Sequence, residues 1–322
     1  MQLPVYEDVV AAGQFIRPHL PPTPLVSCWG LSQLLDCQYH FKAENFQPTG
    51  AFKVRGGVNL VGHLSPQEKR VGVISASTGN HGQSLAFAGG IFNVPVLIYG
   101  PAKNPNTAKV EAMRRLGAEV RLYGADFDEA REEVERVART EGRRYVHSAD
   151  EPRLIAGVGT MGLEIFESLP DVEVIIVPVG AGSGVCGNGL VAKRRNPNVQ
   201  VIGVQAEGAP ACHRVWHGQA VGQDVPMDTR HEGLATRVPF ELPTRLMKEL
   251  LDDFVLVSDA EIDRAIRLLA QHGRIVAEGA GAASLAAAVK LRDRLQGKKV
   301  VGVVSGGNLA LERYAGVLMA GG

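Results

Sequence analysis

Asn45-Phe46-Gln47-Pro48-Thr49-Gly50-Ala51-Phe52-Lys53-Val54-Arg55-Gly56-Gly57 leaves an alternating strand, passes a Pro/Gly turn and enters a helix start. Lys53 stands just past the turn, flanked by Phe52 and followed shortly by two glycines. A lysine on an apolar, tightly turned segment is a candidate for a lowered pKa and a nucleophilic amine. Alone, the stretch reads better as a solvated lysine near a helix start, which is the commoner situation. The rest of the chain decides between them.

Working outward, the pattern on either side is that of a large α/β protein. Alternating or continuous apolar runs predict strands at 39–43, 71–76, 94–99, 119–123, 144–146, 172–179, 201–205, 254–257 and 299–304. Helical periodicity predicts helices at 6–16, 31–35, 82–92, 106–116, 126–141, 151–169, 259–272 and 281–295, and a last one from 309. Segment 172–179 is nearly all apolar, which suits a strand buried on both faces. Helix 126–141 is densely charged, with Glu132/Arg136 and Glu135/Arg139 as i,i+4 pairs on a solvated face. Segment 207–243 is less regular. The expected organisation is two α/β lobes, each an open twisted sheet with helices on both faces. Residues 1–70 and 149–322 form the larger lobe, and 71–148 a small mobile one.

Composition narrows the function. The 322 residues are 45% hydrophobic and 21% charged, with Lys+Arg and Asp+Glu both 34, so there is no basic excess for nucleic acid or a membrane surface. Cys28, Cys37, Cys186 and Cys212 have no CxxC or Cys/His metal spacing and read as reduced thiols. No basic-then-apolar leader and no membrane-length apolar run is evident, and a cytoplasmic location is expected.

Three further turns join strands to helices, where ligands of open α/β sheets bind. Ser75-Ala76-Ser77-Thr78-Gly79-Asn80-His81-Gly82 could hold a carboxylate on N–H and hydroxyl groups, or be an ordinary helix cap. Val179-Gly180-Ala181-Gly182-Ser183-Gly184-Val185-Cys186-Gly187 is an anion cradle at a helix N-terminus. Its Gly182-x-Gly184-x-x-Gly187 spacing, with Glu207 near the end of the next strand, also fits a dinucleotide fingerprint and a nicotinamide oxidoreductase. Val303-Val304-Ser305-Gly306-Gly307-Asn308 puts a neutral hydroxyl at a strand end, with Asn308 as a possible N-cap. Glu278, among small residues opening a helix, could serve the helix dipole or lie beside a cofactor.

Lys53, the Ser-Thr-Gly-Asn-His loop, the glycine-rich turn and Ser-Gly-Gly-Asn, in that order, resemble the pyridoxal-phosphate enzymes of fold type II, the tryptophan-synthase-β-like class. Within it the chain resembles the threonine/serine dehydratase and serine racemase branch, over essentially its whole length. The resemblance implies pyridoxal 5′-phosphate bonded to Lys53, which also serves as base at the substrate α-carbon. It implies Phe52 against the cofactor ring and Asn80 at its 3′-oxygen. Gly180, Ala181, Gly182, Ser183 and Gly184 would bind the phosphate, with Ser305 at the pyridine nitrogen and Glu278 nearby. Ser77, Thr78, Asn80 and His81 would surround the substrate carboxylate. A serine at that nitrogen gives a moderate electron sink, favouring loss of a β-hydroxyl with Ser77 or the phosphate as acid. The implied activity is conversion of L-threonine, and L-serine, to a 2-oxo acid and ammonia by a homodimer or homotetramer.

The sequence departs from the branch at several points. Ala51 replaces the usual serine before Phe52, and the phosphate turn is Gly-Ala-Gly-Ser instead of four glycines. Thr78 stands where racemases carry a serine and dehydratases a small residue. Gln205 and Ala211 stand where metal-activated relatives carry acidic ligands, so no divalent-cation site is expected. The chain ends soon after the Ser305 turn, as in the short catabolic form without a regulatory domain. Serine racemisation, dehydration of a bulkier 3-hydroxy amino acid and β-replacement are the alternatives within the class.

Overall fold

Val174-Ile175-Ile176-Val177 alternates between two different hydrophobic cores, and that alternation defines the larger sheet. Val174 and Ile176 join one cluster with Tyr39, Phe41, Ile202 and Val300, while Ile175 and Val177 join another with Val201, Val301 and Val303. Successive side chains of a strand point to opposite faces, so a continuous apolar run fills the cores on both. The computed structural model describes residues 2–103, 105–222 and 225–320. In chain order the strands are β1 (Leu25–Ser27), β2 (Gln38–Ala43), β3 (Val73–Ala76), β4 (Val96–Gly100), β5 (Glu119–Leu122), β6 (Arg144–Tyr145), β7 (Val174–Pro178), β8 (Gln200–Ala206), β9 (Asp253–Val257) and β10 (Lys299–Val304).

Six of them form a sheet in the order β1-β2-β10-β7-β8-β9, parallel except for β1 against β2. The others form a parallel sheet in the order β5-β4-β3-β6. Its faces alternate in the same way. Val73, Val96 and Ile98 pack with Leu85 and Met113, and Ile74, Leu97 and Tyr99 with Ala130, Val134 and Val137. Val54, Val58 and Val61 of the helix Lys53–Gly62 lie in the first of these small-sheet clusters. The segment that begins at Lys53 therefore packs across to the four-stranded sheet.

Several boundaries differ from the sequence expectation for local reasons. The strand expected from 71 begins at Val73, because a Ser65/Glu68 capping box starts a helix, Pro66–Val71, that Gly72 ends at φ 94°. The irregular 207–243 segment holds a helix, Ala211–Trp216, and the start of another, Glu241–Leu250, in which Pro243 occupies the tolerant first turn. The 259–272 helix is Asp259–Leu268 closed by a π turn, Leu269–Gly273, and the 281–295 helix is Gly279–Lys290 followed by Arg292–Leu295. The last helix is Leu311–Met319. On the charged helix Phe127–Glu141 the pairing runs Glu133–Arg136 (2.6 Å) and Arg131–Glu135 (2.8 Å), since a long arginine reaches an i+3 as readily as an i+4 neighbour.

One polar cluster lies deep inside. Arg55, 1% exposed, donates through Nε and Nη2 to both oxygens of Glu44 at 2.8 and 2.9 Å. Its Nη1 and Nη2 reach the two oxygens of Glu164 at 2.6 and 2.8 Å, and Nη1 also reaches Thr160 Oγ1 at 3.0 Å. Lys42 Nζ adds bonds to Glu164 Oε2 (2.5 Å) and the Thr23 carbonyl (2.6 Å). Two cations and two carboxylates so cancel, each hydrogen-bonded, which is the condition for charge to be tolerated in a core.

Arg55→Leu would leave two buried carboxylates without their fork. It should lower unfolding stability by about 3–5 kcal/mol, whereas Glu111→Gln, at an exposed pair, should cost less than about 1 kcal/mol. Urea midpoints check this; similar small shifts for both variants would contradict it.

Candidate active site

The carboxyl ends of β3, β7 and β10 meet around one cavity of about 180 Å³. It is lined by Phe52, Lys53, Ser77, Thr78, Asn80, His81, Gly180, Ala181, Gly182, Ser183, Gly184, Glu278 and Ser305, so all the candidates come together. Backbone bonds hold the turns to one another. Phe52 N–H donates to the Ser305 carbonyl (3.0 Å), Gly307 N–H to Gly50 (2.9 Å) and Glu278 N–H to Gly306 (3.0 Å).

Lys53 is the first residue of its helix. Its Nζ makes only long contacts, 3.4 Å to the Ser148 carbonyl and 3.5 Å to Ser183 Oγ. Burial favours the neutral amine and pushes its pKa from 10.5 down to about 8. Ser183 opens the helix Ser183–Arg195, whose first-turn N–H groups have no intrahelical acceptor. The glycines of this turn each have a separate reason. Gly182 sits at φ 97°, a Cβ on Gly184 would stand 3.2 Å from the Phe52 ring, and one on Gly187 would stand 2.6 Å from Gly159 N. Gly187 thus serves a helix crossing. Glu207, the acidic residue of the dinucleotide reading, pairs with Lys290 at 3.3 Å and is not among the cavity-lining residues.

Asn80 is fixed from two sides. Its Nδ2 donates to Glu278 Oε1 (2.7 Å) and its Oδ1 accepts from Asn308 Nδ2 (2.9 Å), which also donates to the Thr49 carbonyl (2.8 Å). Asn308 therefore braces Asn80, and the helix it was expected to cap starts later. Glu278 precedes the helix Gly279–Lys290, and burial raises its carboxyl to about 7 against the opposing pull of Lys109 and Asn80.

The Ser77 hydroxyl accepts from Gly82 N–H (2.8 Å) and Gly79 N–H (3.2 Å), so it caps the helix Asn80–Phe92. Its own hydrogen has only a 3.5 Å contact, to the Gly79 carbonyl. Thr78 is exposed, and among the described residues no titratable group hydrogen-bonds it. His81 is buried, and its Nε2 lies 3.0 Å from a Ser75 hydroxyl that donates to the Val146 carbonyl at 2.8 Å. Desolvation, with Lys53 nearby, drives its pKa down to about 3, so the ring is neutral, and Nδ1 has no protein partner. Gln205 accepts from His213 N–H at 3.1 Å.

Lys109, Phe127, Ser148, Glu232, Gly233 and Ala280 also line the cavity. No motif marks them: Lys109 lies inside a helix and Glu232 in the irregular segment. Among the described residues no helix is long and apolar enough to cross a membrane.

A family model described as pyridoxal-phosphate dependent enzyme matches residues 16–306. The chain is 41% identical over 303 residues to an L-threonine ammonia-lyase of Thermotoga maritima, covering 94% of this chain and 75% of that protein. It is 38% identical over 318 residues to a catabolic L-threonine dehydratase, TdcB, of Staphylococcus aureus, covering 98% and 92%. The solved structure of the processed form of threonine deaminase isoform 2 from Solanum lycopersicum superposes with a TM-score of 0.92 at 32% identity, covering 98% and 92%.

Glu278 generates a pH test. Its folded pKa lies above the unfolded value, so its stabilising share is full below the unfolded pKa and lost as pH rises through about 7. Glu278→Gln keeps an acceptor for Asn80 without the buried charge. It should raise stability by about 1–3 kcal/mol at pH 8 and leave it nearly unchanged at pH 4. Thermal unfolding at the two pH values measures this; equal shifts at both would contradict it.

Proposed function

Because the chain belongs to the pyridoxal-phosphate-dependent enzyme family, whose model matches residues 16–306, we propose that it is an ammonia-lyase converting L-threonine to 2-oxobutyrate and ammonia. The carrying observation is Lys53, a half-buried amine of lowered pKa at the meeting point of three strand-end turns. The activities for which the similar proteins are named point the same way. L-Serine is proposed as a second substrate, a cytoplasmic homo-oligomer as the working form, and residues 71–148 as the part that closes on the rest.

The cavity fits pyridoxal phosphate. Lys53 is within 3.5 Å of Ser183 Oγ, in a glycine turn where a Cβ on Gly180 would collide with the Gly233 carbonyl and one on Gly184 would crowd the Phe52 ring. In this reading residues 180–184 hold the phosphate on backbone N–H groups, Phe52 and Asn80 hold the ring, and Ser305 offers it a neutral hydroxyl. When bound, the cofactor supplies an electron sink for the substrate α-carbon.

The side chains do the rest. The Ser77–His81 loop receives the substrate carboxylate on N–H groups at the start of its helix. Lys53, uncharged at modest cost, takes the α-proton. Ser77, whose hydrogen is loosely held, turns it toward the departing β-hydroxyl. The released enamine hydrolyses to the 2-oxo acid and ammonia. Elimination is favoured over racemisation because Thr78 stands where a racemase would carry its serine, and among the described residues no titratable group hydrogen-bonds its hydroxyl.

Purified protein should carry a visible absorption band from lysine-bound cofactor and form 2-oxobutyrate from L-threonine. Lys53→Ala should lower turnover by about 10³-fold or more. A colourless protein that pyridoxal phosphate cannot reconstitute would refute the reading. Chiral analysis with L-serine should give pyruvate with little D-serine, and Thr78→Ser should raise the D-serine fraction. Unchanged turnover on adding magnesium is expected; strong activation would contradict the reading of Gln205 and Ala211.

A further inference from the structure

Among the described residues, the side chains lining the cavity include two cations, Lys53 and Lys109, once His81 is counted neutral. Lys53 is committed to the cofactor in the reading above, on which this inference rests. Lys109 remains. It projects from the helix Thr107–Arg115, beyond β4, and its Nζ contacts Glu232 Oε2 at 2.5 Å. Glu232 lies in the short turn Glu232–Leu234, whose Gly233 carbonyl would stand 2.4 Å from a Cβ on Gly180. The pair thus bridges the two sheets' ends of the cavity, beside the anion cradle.

Two features make this pair more than a clasp. Lys109 lies along the carboxylate loop, since a Cβ on Gly79 would stand 3.5 Å from its Nζ. The partner it holds is the solvated one: Glu232 is 57% exposed and Lys109 17%. Ion pairs with a solvated member contribute little net stability, so exchanging the partner costs little. An amino-acid carboxylate settling on the N–H groups of the same loop would lie beside this ammonium and shield it from bulk water, and a charge-assisted bond is stronger in that less polar setting.

We propose that Lys109 is an exchangeable counter-ion for the substrate. It pairs with Glu232 in the free enzyme and transfers to the α-carboxylate when the amino acid binds. Glu232 is an internal competitor for that ammonium, and its freed carboxylate at the mouth disfavours substrates with a second acidic group.

The test uses the holoenzyme, with L-threonine kinetics and calorimetric titration of 3-hydroxybutyrate, a carboxylate ligand that lacks the amine and cannot react. Lys109→Met should raise the KM for L-threonine and the Kd for 3-hydroxybutyrate about tenfold, with a smaller fall in kcat. Lys109→Arg should retain most of the affinity. Glu232→Gln should tighten both by about two- to fivefold and improve the relative use of 3-hydroxyaspartate. A clasp that merely ties the two parts together predicts that Lys109→Met and Glu232→Gln weaken binding alike; that result, or no change in either, overturns the proposal. If wild-type protein makes no 2-oxobutyrate, the threonine reading fails, while the opposite shifts in 3-hydroxybutyrate affinity still judge Lys109 and Glu232.

Discussion

The Arg55 fork fixes the frame in which the site is built. Arg55 follows Lys53 by two positions, about 200° around a helix, so a guanidinium gripped from behind turns the lysine toward the cavity. The grip involves the short turn that follows β2 through Glu44, the helix Pro152–Ser168 through Thr160 and Glu164, and the N-terminal connector through Thr23. A lysine has a long, mobile stem, and its amine is placed usefully only if its helix start cannot shift. Ser84 Oγ, bonded to the Lys53 carbonyl at 2.7 Å, holds the same turn from the side of the small sheet.

In front of that frame, burial makes the cavity electrically quiet. Lys53 moves down to about 8, Glu278 up to about 7 and His81 down to about 3, each toward its uncharged form and each with desolvation as the leading cause. The amides of Asn80 and Asn308 are satisfied by each other, by Glu278 and by the Thr49 carbonyl. In a site of low polarity, an arriving carboxylate or phosphate meets few competing charges, and N–H groups at helix starts act with little screening. Among the described residues the one close ion pair on the wall, Lys109–Glu232, stands at the wetter edge.

What could be read from the chain follows from where its information is local. Continuous runs such as 174–178 and the turn residues at the ends of β3, β7 and β10 announce themselves, because strand period and the carboxyl-end rule need only neighbours in sequence. The helix Glu241–Leu250 was hidden by Pro243, which reads as a breaker unless the helix start is already known. Arg55 stands in the opening stretch, yet Glu164 and Thr160 lie more than a hundred residues away, at no spacing a motif could encode. Lys109 and Glu232, 123 positions apart, are joined only by folding.

Gly182-x-Gly184-x-x-Gly187 shows why the pattern of letters was insufficient. The same spacing serves a dinucleotide or a single phosphate, because both need a tight turn and a close helix. What separates them is the opposite wall. A dinucleotide site calls for an acidic residue at the end of the next strand, where Glu207 is instead drawn off to Lys290. Here the turn faces a lysine of lowered pKa within reach of Ser183, and Gly187 is occupied in packing against Gly159. The ligand that satisfies both walls is a phosphate attached to a group that can bond covalently to an amine. That condition selects the chemistry more narrowly than the glycines do.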